Sequence, residues 1–574
     1  MKKPFGVILS FVVVLSTILA VSVFSNEKEL TINSMFVEEP LLYFETEDLG
    51  RLSEIVDLVS IEKDSSGSTM SSVFKSGAAG SKLLDLKDSI AATTGFDLTL
   101  QAMSKAVDKD AAVALYSTEG PSFVFIARIK WGAFAGPFEK MIGNGLKAER
   151  TPDDIEFHVM KVPFENGNRE TEILFSRFGE FLIASTDAVL LQKTIAKARG
   201  VTTNEAWTED LKPARAGDSE TERPLAVIRQ NLRALSSNPH FKRLSIEPEK
   251  PLGEYGDSVV SRIDADADTI VETRYFPHAK LHSERSLDEE INAVSNLLPQ
   301  APFRQISEAS GAAKQTLELL FNRVSASENR ASLTLRDLEN RYYNSVSDIR
   351  VASKMIEQRK SCSESFRKAG SGTQTDGVVV SGYTLTPTTR PSPEFMRMKI
   401  VSVFGFRTEK DAGQFRERVL EAFTESTSES CVGPKPESMV EGNKMKLQLP
   451  ELGLVYELTI EGRFLKVERT INEPDPSAVN KRSEIESLPT GTTELIEIEP
   501  QGLYFEFDQS LNKLPAYSAA KPDSFSAVYE LMRLNKGVGR IRITKGVDTK
   551  MPIEKLKISF SKPKDPDASR PNKK

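Results

Sequence analysis

Three aspartates in the segment RIDADADT have the spacing with which a calcium-binding loop begins. Asp264, Asp266 and Asp268 alternate with other residues, and carboxylates so spaced can converge on a hard cation. The rest of the calcium pattern is missing, because Thr269 stands where the turn needs glycine and Tyr275 where a bidentate glutamate is required. Alternation along a strand instead predicts three carboxylates on one solvent-exposed face near a hairpin turn.

Two of the four histidines, His278 and His282, are four positions apart. On a helix this spacing would direct both imidazoles at one metal ion. They follow Pro277, however, and no glutamate lies between them as it does in the zinc protease motif. The remaining histidines, His158 and His240, are isolated in the sequence. We therefore expect neither a metal site nor a cofactor.

A serine three residues before a lysine can be a nucleophile whose base is the lysine amine. The chain contains four such pairs, without the Lys-Thr-Gly or Ser-Asp-Asn motifs of penicillin-recognising enzymes: Ser72/Lys75, Ser365/Lys368, Ser518/Lys521 and Ser559/Lys562. The motifs Gly-x-Ser-x-Gly, Gly-x-Gly-x-x-Gly and the Walker phosphate loop are also missing from the sequence. A site of paired carboxylates stays open, although no particular pair is indicated. The sequence thus predicts no catalytic residue.

The two cysteines, Cys362 and Cys431, lie in polar, serine-rich segments. In an oxidising compartment they can pair, and closing a loop of about 70 residues stabilises a fold by roughly 4 kcal/mol in the chain-entropy model. We predict this disulfide. Two unrelated thiols are the alternative, because pairing cannot be deduced from sequence alone.

The compartment follows from the N-terminus. Residues 5–24 carry no charge, follow Lys2 and Lys3, and precede Glu27 and Glu29. As a helix with a rise of about 1.5 Å per residue they would extend roughly 30 Å, the thickness of a hydrocarbon core. The lysines hold the N-terminus in the cytoplasm and direct the body across the membrane. We expect an extracytoplasmic protein, in the periplasm or at the cell surface, anchored in the inner membrane.

Residues 1–25 also fit a second interpretation, a cleavable signal peptide. The apolar region of such a peptide is about 7 to 15 residues long and ends at small residues. Ala20-Val21-Ser22 fits a cleavage site, and the apolar run continues beyond it. The continuation favours a retained anchor, and both interpretations stay open.

Composition limits the classes of partner. The 574 residues predict two to four domains. Lys and Arg total 75 against 82 for Asp and Glu, a net charge of -7, so no overall field attracts nucleic acid. The last residues, 564–574, are rich in Pro, Lys and Asp and predict a disordered tail.

A long-range internal repeat organises the body of the chain. AGPF at 135–138 recurs as AGQF at 412–415, and GEFL at 179–182 recurs as GRFL at 462–465. The two offsets, 277 and 283, preserve the order of the motifs and nearly their spacing. We therefore predict two related halves.

Each half alternates β-forming segments with amphipathic helices. The β-rich segments predict antiparallel hairpins: 111–117 with 122–130, 155–164, 171–186, 258–276, 377–385 with 394–406, 443–450, 453–460, 462–470, and 539–546 with 556–562. Apolar residues at spacings of three and four predict helices over 131–145, 188–199 and 408–423, the last with Thr408 as N-cap. The class is α+β, with helices packed on one face of the hairpins.

The halves have predicted bounds of 30–285 and 290–563, separated by a polar stretch near 278–300. The second half carries a predicted helical insert over 304–360. LYFEFDQSLNKL at 503–514 is expected to occupy the place that LAVIRQNLRAL, at 225–235, has in the first half.

A charged start, one apolar segment and a long α+β body without catalytic motifs resemble bacterial envelope proteins of uncharacterised function. The shared motifs, L-Y-F-E and the A-G-x-F helix, are unspecific and carry over no residue-level role. The resemblance implies a non-enzymatic protein whose two halves bind or scaffold an envelope protein, peptide, lipid or glycan, and not nucleic acid. The alternatives are an envelope hydrolase using carboxylates in a cleft between the halves and a lipid-binding periplasmic chaperone.

Overall fold

The computed structural model divides the chain into two compact units, Met1–Ile263 and Asp264–Lys574. It describes residues 32–59, 100–117, 122–130, 147–150, 156–164, 169–200, 206–216, 223–237, 256–266, 268–279, 288–308, 310–321, 368, 372–387, 398–430, 437–449, 454–471, 488, 490–499, 538–548 and 551–560. The predictions for residues 1–25, for both cysteines and for the tail concern residues outside this set. Among the described helices, none combines the length and apolarity needed to span a membrane.

The first unit is built on an antiparallel sheet. Its strands are β1 (Leu42–Thr46), β2 (Val107–Ser117), β3 (Ser122–Ile129), β4 (Lys147–Arg150), β5 (Glu156–Phe164), β6 (Arg169–Phe178), β7 (Phe181–Ser185), β8 (Ala226–Asn231) and β9 (Ser258–Ala265). Neighbouring strands pair in the order β9-β8-β1-β2-β3-β7-β6-β5-β4. The N-terminal strand β1 is therefore central, with partners on both sides.

The second unit contains another antiparallel sheet. Its strands are β10 (Thr269–Tyr275), β11 (Phe303–Glu308), β12 (Val378–Pro387), β13 (Met398–Phe406), β14 (Glu437–Glu441), β15 (Lys444–Leu449), β16 (Leu454–Glu461), β17 (Phe464–Ile471), β18 (Thr492–Ile498), β19 (Val538–Asp548) and β20 (Met551–Phe560). Their order is β10-β20-β19-β18-β11-β12-β13-β17-β16-β15-β14. Strands β11 to β19 thus follow the same order as β1 to β9.

The motifs GEFL and GRFL occupy matching places in the two sheets. Gly179 lies in the turn between β6 and β7, and Gly462 in the turn between β16 and β17. Both glycines have φ of 56°, the left-handed region that glycine enters without steric cost. The sequence repeat therefore coincides with a tight turn at the matching place of each sheet.

The helices are α1 (Leu49–Val59), α2 (Leu100–Ala106), α3 (Ala188–Ala198), α4 (Lys212–Ala216), α5 (Leu232–Ser237), α6 (Asp288–Leu297), α7 (Ser310–Phe321) and α8 (Glu409–Ser430), and 3-10 helices lie at Ile32–Met35 and Ala206–Leu211. The α+β class is confirmed. The expectation of helices on a single face is wrong for the second unit. Val403 packs with α6, whereas its neighbour Phe404 packs with α7 and α8. Because both alternating positions of β13 are apolar, each face of this sheet needs a helical cover.

Several element predictions are confirmed. The hairpins formed by β2 with β3, β12 with β13 and β19 with β20 lie where the sequence placed them. Helix α8 begins after Thr408, whose Oγ1 accepts a hydrogen bond from the Asp411 backbone N–H (3.2 Å) and donates to the Asp411 carboxylate (2.8 Å). Helix α3 ends before Gly200, which has φ of 79°.

Two central strands were missed. Residues 303–308, at the start of the predicted helical insert, form β11, because Pro302 precedes a short alternating segment that both neighbours can pair. Strand β18, which was not predicted, pairs with β11 and β19 as β8 pairs with β1 and β9. Residues 503–514 and the predicted helix 131–145 lie outside the described residues.

We expect Gly179→Ala and Gly462→Ala each to lower the free energy of unfolding by about 1 kcal/mol, because each places a Cβ in the left-handed region. An added Cβ meets no atom within 4 Å at either position, so the cost is conformational. Gly413→Ala, in the helical part of α8, is the matched control and should stabilise by about 0.5–1 kcal/mol. Denaturant unfolding of the three variants measures this, and two neutral turn variants would contradict it.

Candidate functional site

A group of arginines surrounds one buried carboxylate on the face of the second sheet that α6 covers. We call Arg304, Glu497, Arg540 and Arg542 the Glu497 cluster. Arg304 donates through Nε to Glu497 Oε2 (2.7 Å) and through Nη2 to the same oxygen. Arg540 Nη2 donates to Glu497 Oε1, and Arg542 Nε lies 3.6 Å from that oxygen. Three guanidinium groups therefore converge on one carboxylate.

Strand register places these side chains together. Glu497 of β18 lies directly opposite Arg304 of β11 on one side and Arg542 of β19 on the other. Arg542 in turn lies opposite Lys557 of β20. Directly opposed residues of antiparallel strands share a face, so Lys557 extends the same row. Arg304 Nη1 also donates to Ser295 Oγ of α6 (3.3 Å), which fixes the guanidinium against the helix.

The cluster runs from the sheet interior to solvent. The side chains of Arg304 and Glu497 are 6% and 7% exposed, whereas Arg540 is 43% exposed. The Nε of Arg540 is nevertheless buried and has no hydrogen-bond acceptor among the described residues. A buried donor without an acceptor costs about 1–3 kcal/mol. The outer end of the cluster therefore holds donor capacity that Glu497 does not use.

On this face of the second sheet, cationic side chains outnumber the carboxylates around Glu497. Glu499 follows Glu497 on the same face by alternation, but among the described residues no ion pair joins it to Arg540 or Arg542. Charges of one sign held close together in a partly desolvated site repel each other unless a counter-charge enters. Chemically, the arrangement is suited to holding an anion.

The opposite face of the same strands is balanced. A row of alternating charge crosses neighbouring strands: Gln305 Nε2 donates to Glu494 (3.0 Å), Lys545 contacts Glu494 (2.6 Å) and Glu554 (3.9 Å), and Arg274 contacts Glu554 (2.5 Å) and Glu272 (2.8 Å). Each cation in this row lies between two carboxylates. This face leaves no comparable excess for a ligand, which distinguishes it from the Glu497 cluster.

Tyr383 closes that row on β12. Its hydroxyl donates to Gln305 Oε1 (2.9 Å), and its ring stacks on Phe303 with centroids 5.6 Å apart. Burial, together with the negative charge of Glu494, raises the pKa of Tyr383 to about 12. The phenol is therefore held in its neutral form.

The first unit has a buried arginine at the matching strand. Arg229 of β8, 3% exposed, donates to Asp210 Oδ2 through Nε (3.0 Å) and Nη2 (2.9 Å), and Nη2 also donates to Glu39 (2.6 Å). Ser258 donates to the same Asp210 oxygen (3.0 Å), and the guanidinium lies 5.6 Å from the ring centre of Trp207. Here one cation meets two carboxylates, so no anion is required.

A second ion pair lies beside it. Arg215 donates through Nε to Glu45 Oε1 (2.6 Å), and the Tyr43 hydroxyl donates to Glu45 Oε2 (2.6 Å). Burial and the adjacent Glu45 carboxylate raise the pKa of Tyr43 well above its usual value. The charges on this face of the first unit are thus paired, although Arg229 Nη1 and Trp207 Nε1 are buried without a hydrogen-bond acceptor among the described residues.

Four of the five residues that the sequence suggested for metal binding are described. Asp266 and Asp268 are exposed at the turn after β9, where the Asp266 N–H donates to the Thr269 carbonyl (2.8 Å), while Asp264 is half-buried. His278 is exposed, and His282 lies outside the described residues. Within the described part of the chain, no group of three or more His, Cys, Asp or Glu side chains could hold a metal ion.

None of the four serine and lysine pairs has both members among the described residues. Only one member of two pairs is described, Lys368 and Ser559, and the other residues lie outside this set. The Glu497 cluster itself was missed. Its signal was present in the predicted hairpin, because GRIRITKG and KLKIS each place two basic residues two positions apart on pairing strands, Arg540 with Arg542 and Lys555 with Lys557.

Comparison with known proteins adds little. No protein-family model and no curated protein matches the chain. Solved structures of TP0453 match weakly: crystal form III has 9% identity and a TM-score of 0.27 over 47% of this chain and 88% of that one, and crystal form I has 10% identity and a TM-score of 0.24 over 45% and 82%. At such TM-scores the likeness carries no argument.

We expect Glu497→Gln to lower the free energy of unfolding by roughly 3–5 kcal/mol, because it leaves buried guanidinium groups without a counter-charge. Glu494→Gln, on the same strand but the opposite face and 19% exposed, is the matched control and should cost less. The double variant Arg304→Met/Glu497→Met should also cost less than Glu497→Gln. Denaturant unfolding measures all three, and equal losses for the two single Gln variants would refute the assignment.

Alkaline titration tests the burial of Tyr383. Because its folded-state pKa is raised from 10.0 to about 12, its contribution to stability is present below pH 10.0 and is lost as pH rises through about 12. Tyr383→Phe should remove one late-ionising tyrosine from the ultraviolet difference titration and flatten the loss of stability over that range. A titration unchanged by the substitution would show that another group is responsible.

Proposed function

We propose that the protein is a non-enzymatic extracytoplasmic envelope protein, which uses a duplicated α+β body to bind an anionic component of the envelope. The observation that carries this proposal is the Glu497 cluster, where guanidinium groups outnumber the carboxylate that they share. An excess of fixed cations at the rim of a rigid sheet attracts and orients anions. The cluster is partly exposed at Arg540, so a ligand can reach it.

Duplication of the body is supported by the common strand order and by the shared glycine turn. Corresponding positions across the central strands are Tyr43–Arg229–Val260 in the first unit and Arg304–Glu497–Arg542 in the second. Val260 and Arg542, the last pair of corresponding positions, are 282 residues apart in the sequence. The same offset of 282, applied to the following strands β10 and β20, matches Thr273 to Lys555. These two residues lie directly opposite each other in the pairing of β10 with β20. Equivalent strands of the two sheets thus correspond residue by residue, which supports a duplicated origin.

Binding is favoured over hydrolysis by the state of the buried carboxylates. Asp210 and Glu497 are each held by arginine through two or more contacts. A carboxylate whose oxygens are engaged in this way by arginine is occupied, whereas a general acid or a nucleophile must be free to exchange a proton or to attack. The hydrolase alternative needs carboxylates that face a substrate.

The location is supported by residues 5–24, whose length and flanking lysines fit a membrane anchor with the body outside the cytoplasm. We expect a reporter enzyme that is active only after export, fused after Lys574, to be active in cells. The matched control is the same fusion without residues 5–24, which should be inactive. Equal activity of the two fusions, or reporter confined to the cytosol in both, would refute an extracytoplasmic role.

A further inference from the structure

The outer end of the Glu497 cluster forms a block of four side chains on two neighbouring strands. Arg540 of β19 lies opposite Ser559 of β20, and Arg542 lies opposite Lys557. All four share the face of Glu497, since Arg542 lies opposite Glu497 and the other positions alternate with it. Antiparallel strands are about 5 Å apart and same-face residues about 7 Å apart along a strand. The four side chains can therefore reach one small ligand between them.

The backbone is irregular beside this block. The pairing of β19 with β20 shifts register between Val538 and Arg540, so that one extra residue, Gly539, precedes the block. Such bulges redirect neighbouring side chains and are frequent beside binding sites. The next residue in the Arg540 row is Thr269 of β10, which lies opposite Ser559. Two hydroxyl groups thus border the two guanidinium groups and the ammonium group.

The number of donors distinguishes between possible anions. Glu497 engages Arg540 through Nη2, which leaves the buried Nε of Arg540 without an acceptor among the described residues. Lys557 contributes further N–H groups in the adjacent row, where Arg542 lies opposite it. A carboxylate ligand offers two oxygens, whereas a phosphate group offers three or four in a tetrahedral arrangement that guanidinium forks match.

Glu497 has a distinct role in such a site. Its carboxylate offsets the mutual repulsion of Arg304, Arg540 and Arg542 and so holds the guanidinium groups in place before a ligand arrives. A site whose donors are already fixed loses less conformational entropy on binding. Glu497 is therefore a positioning residue, and the ligand contacts lie at Arg540, Arg542, Lys557 and Ser559.

We infer that this block binds a phosphate group, carried by free phosphate or by the headgroup of an anionic lipid. The inference rests on the proposed binding function and specifies the class of ligand. Arg540, Arg542 and Lys557 donate to the phosphate oxygens, and the Ser559 hydroxyl donates to a further one.

The test uses the full-length protein in nonionic detergent, titrated with inorganic phosphate by calorimetry. Lys557→Met should weaken phosphate binding about tenfold or more, because a charge-assisted hydrogen bond is lost. The matched control is Lys555→Met, which makes the same change on the same strand and face one row farther from Arg542. Its affinity should stay within about twofold of the unaltered protein. Equal losses for both variants would show a general electrostatic effect and overturn the site.

Arg540→Lys and Ser559→Ala provide a second pair that keeps the fold and the net charge. Both should weaken phosphate binding. Ser559→Ala should leave the thermal midpoint without phosphate unchanged, because it removes only an uncharged hydroxyl, whereas Arg540→Lys also alters the contact with Glu497 Oε1. Unchanged phosphate affinity in both variants would overturn the assignment.

Vesicles separate the two sources of phosphate. Binding to phosphatidylglycerol vesicles that weakens in Lys557→Met, but not in Lys555→Met, identifies a lipid headgroup, whereas response to inorganic phosphate alone identifies the free ion. Protection against heat by sulfate and citrate but not by phosphate would overturn the phosphate assignment and leave the anion-binding function standing. No protection by any anion would overturn both.

Discussion

Each unit depends on one central strand that pairs with two partners far away in the sequence. In the second unit this strand is β11, and the contact from Arg304 to Glu497 joins residues 193 positions apart. In the first unit β1 has the same role, and Arg229 of its neighbour β8 reaches Glu39, 190 positions away. Closing such long loops costs entropy before any contact is gained. Once the central strand is paired, however, the register of every neighbouring strand is determined.

Corresponding positions of the two sheets carry buried side chains of opposite charge. In the first unit the buried cation Arg229 is neutralised by Asp210 and Glu39. In the second the corresponding position is the anion Glu497, and the surrounding residues are cations. A buried ion pair contributes little net stability, because desolvation offsets much of the attraction. Burial of charge at both positions is therefore better explained by the specificity of strand pairing than by a gain in stability.

How far the sequence predicts this structure depends on where apolar residues lie. Strand β13 is apolar at nearly every core position, and α8 has both an apolar stripe and a Thr408 cap, so local patterns suffice. Strands β11 and β18 were missed because each is short and places charged residues, Arg304 and Glu497, at core-facing positions. A buried charge is acceptable only beside its partner, and that partner is supplied by a strand that local patterns cannot identify. For the same reason the cluster could not be predicted, although its outer arginines and lysines were visible as an alternating pattern.

Alternation along β19 explains how one segment meets two requirements. In RIRITK, Arg540 and Arg542 point to the face of Glu497, whereas Ile541, Ile543 and Lys545 point to the other face. Ile541 lies in an apolar row that continues through Ile498 to Phe303 on one side and through Ile558 to Ile270 on the other. A shift of one residue in this pairing would bring the isoleucines to the cationic face and the arginines into the apolar row. The apolar row therefore enforces the register that gathers the arginines, and the charge arrangement on one face is maintained by the packing requirement of the other.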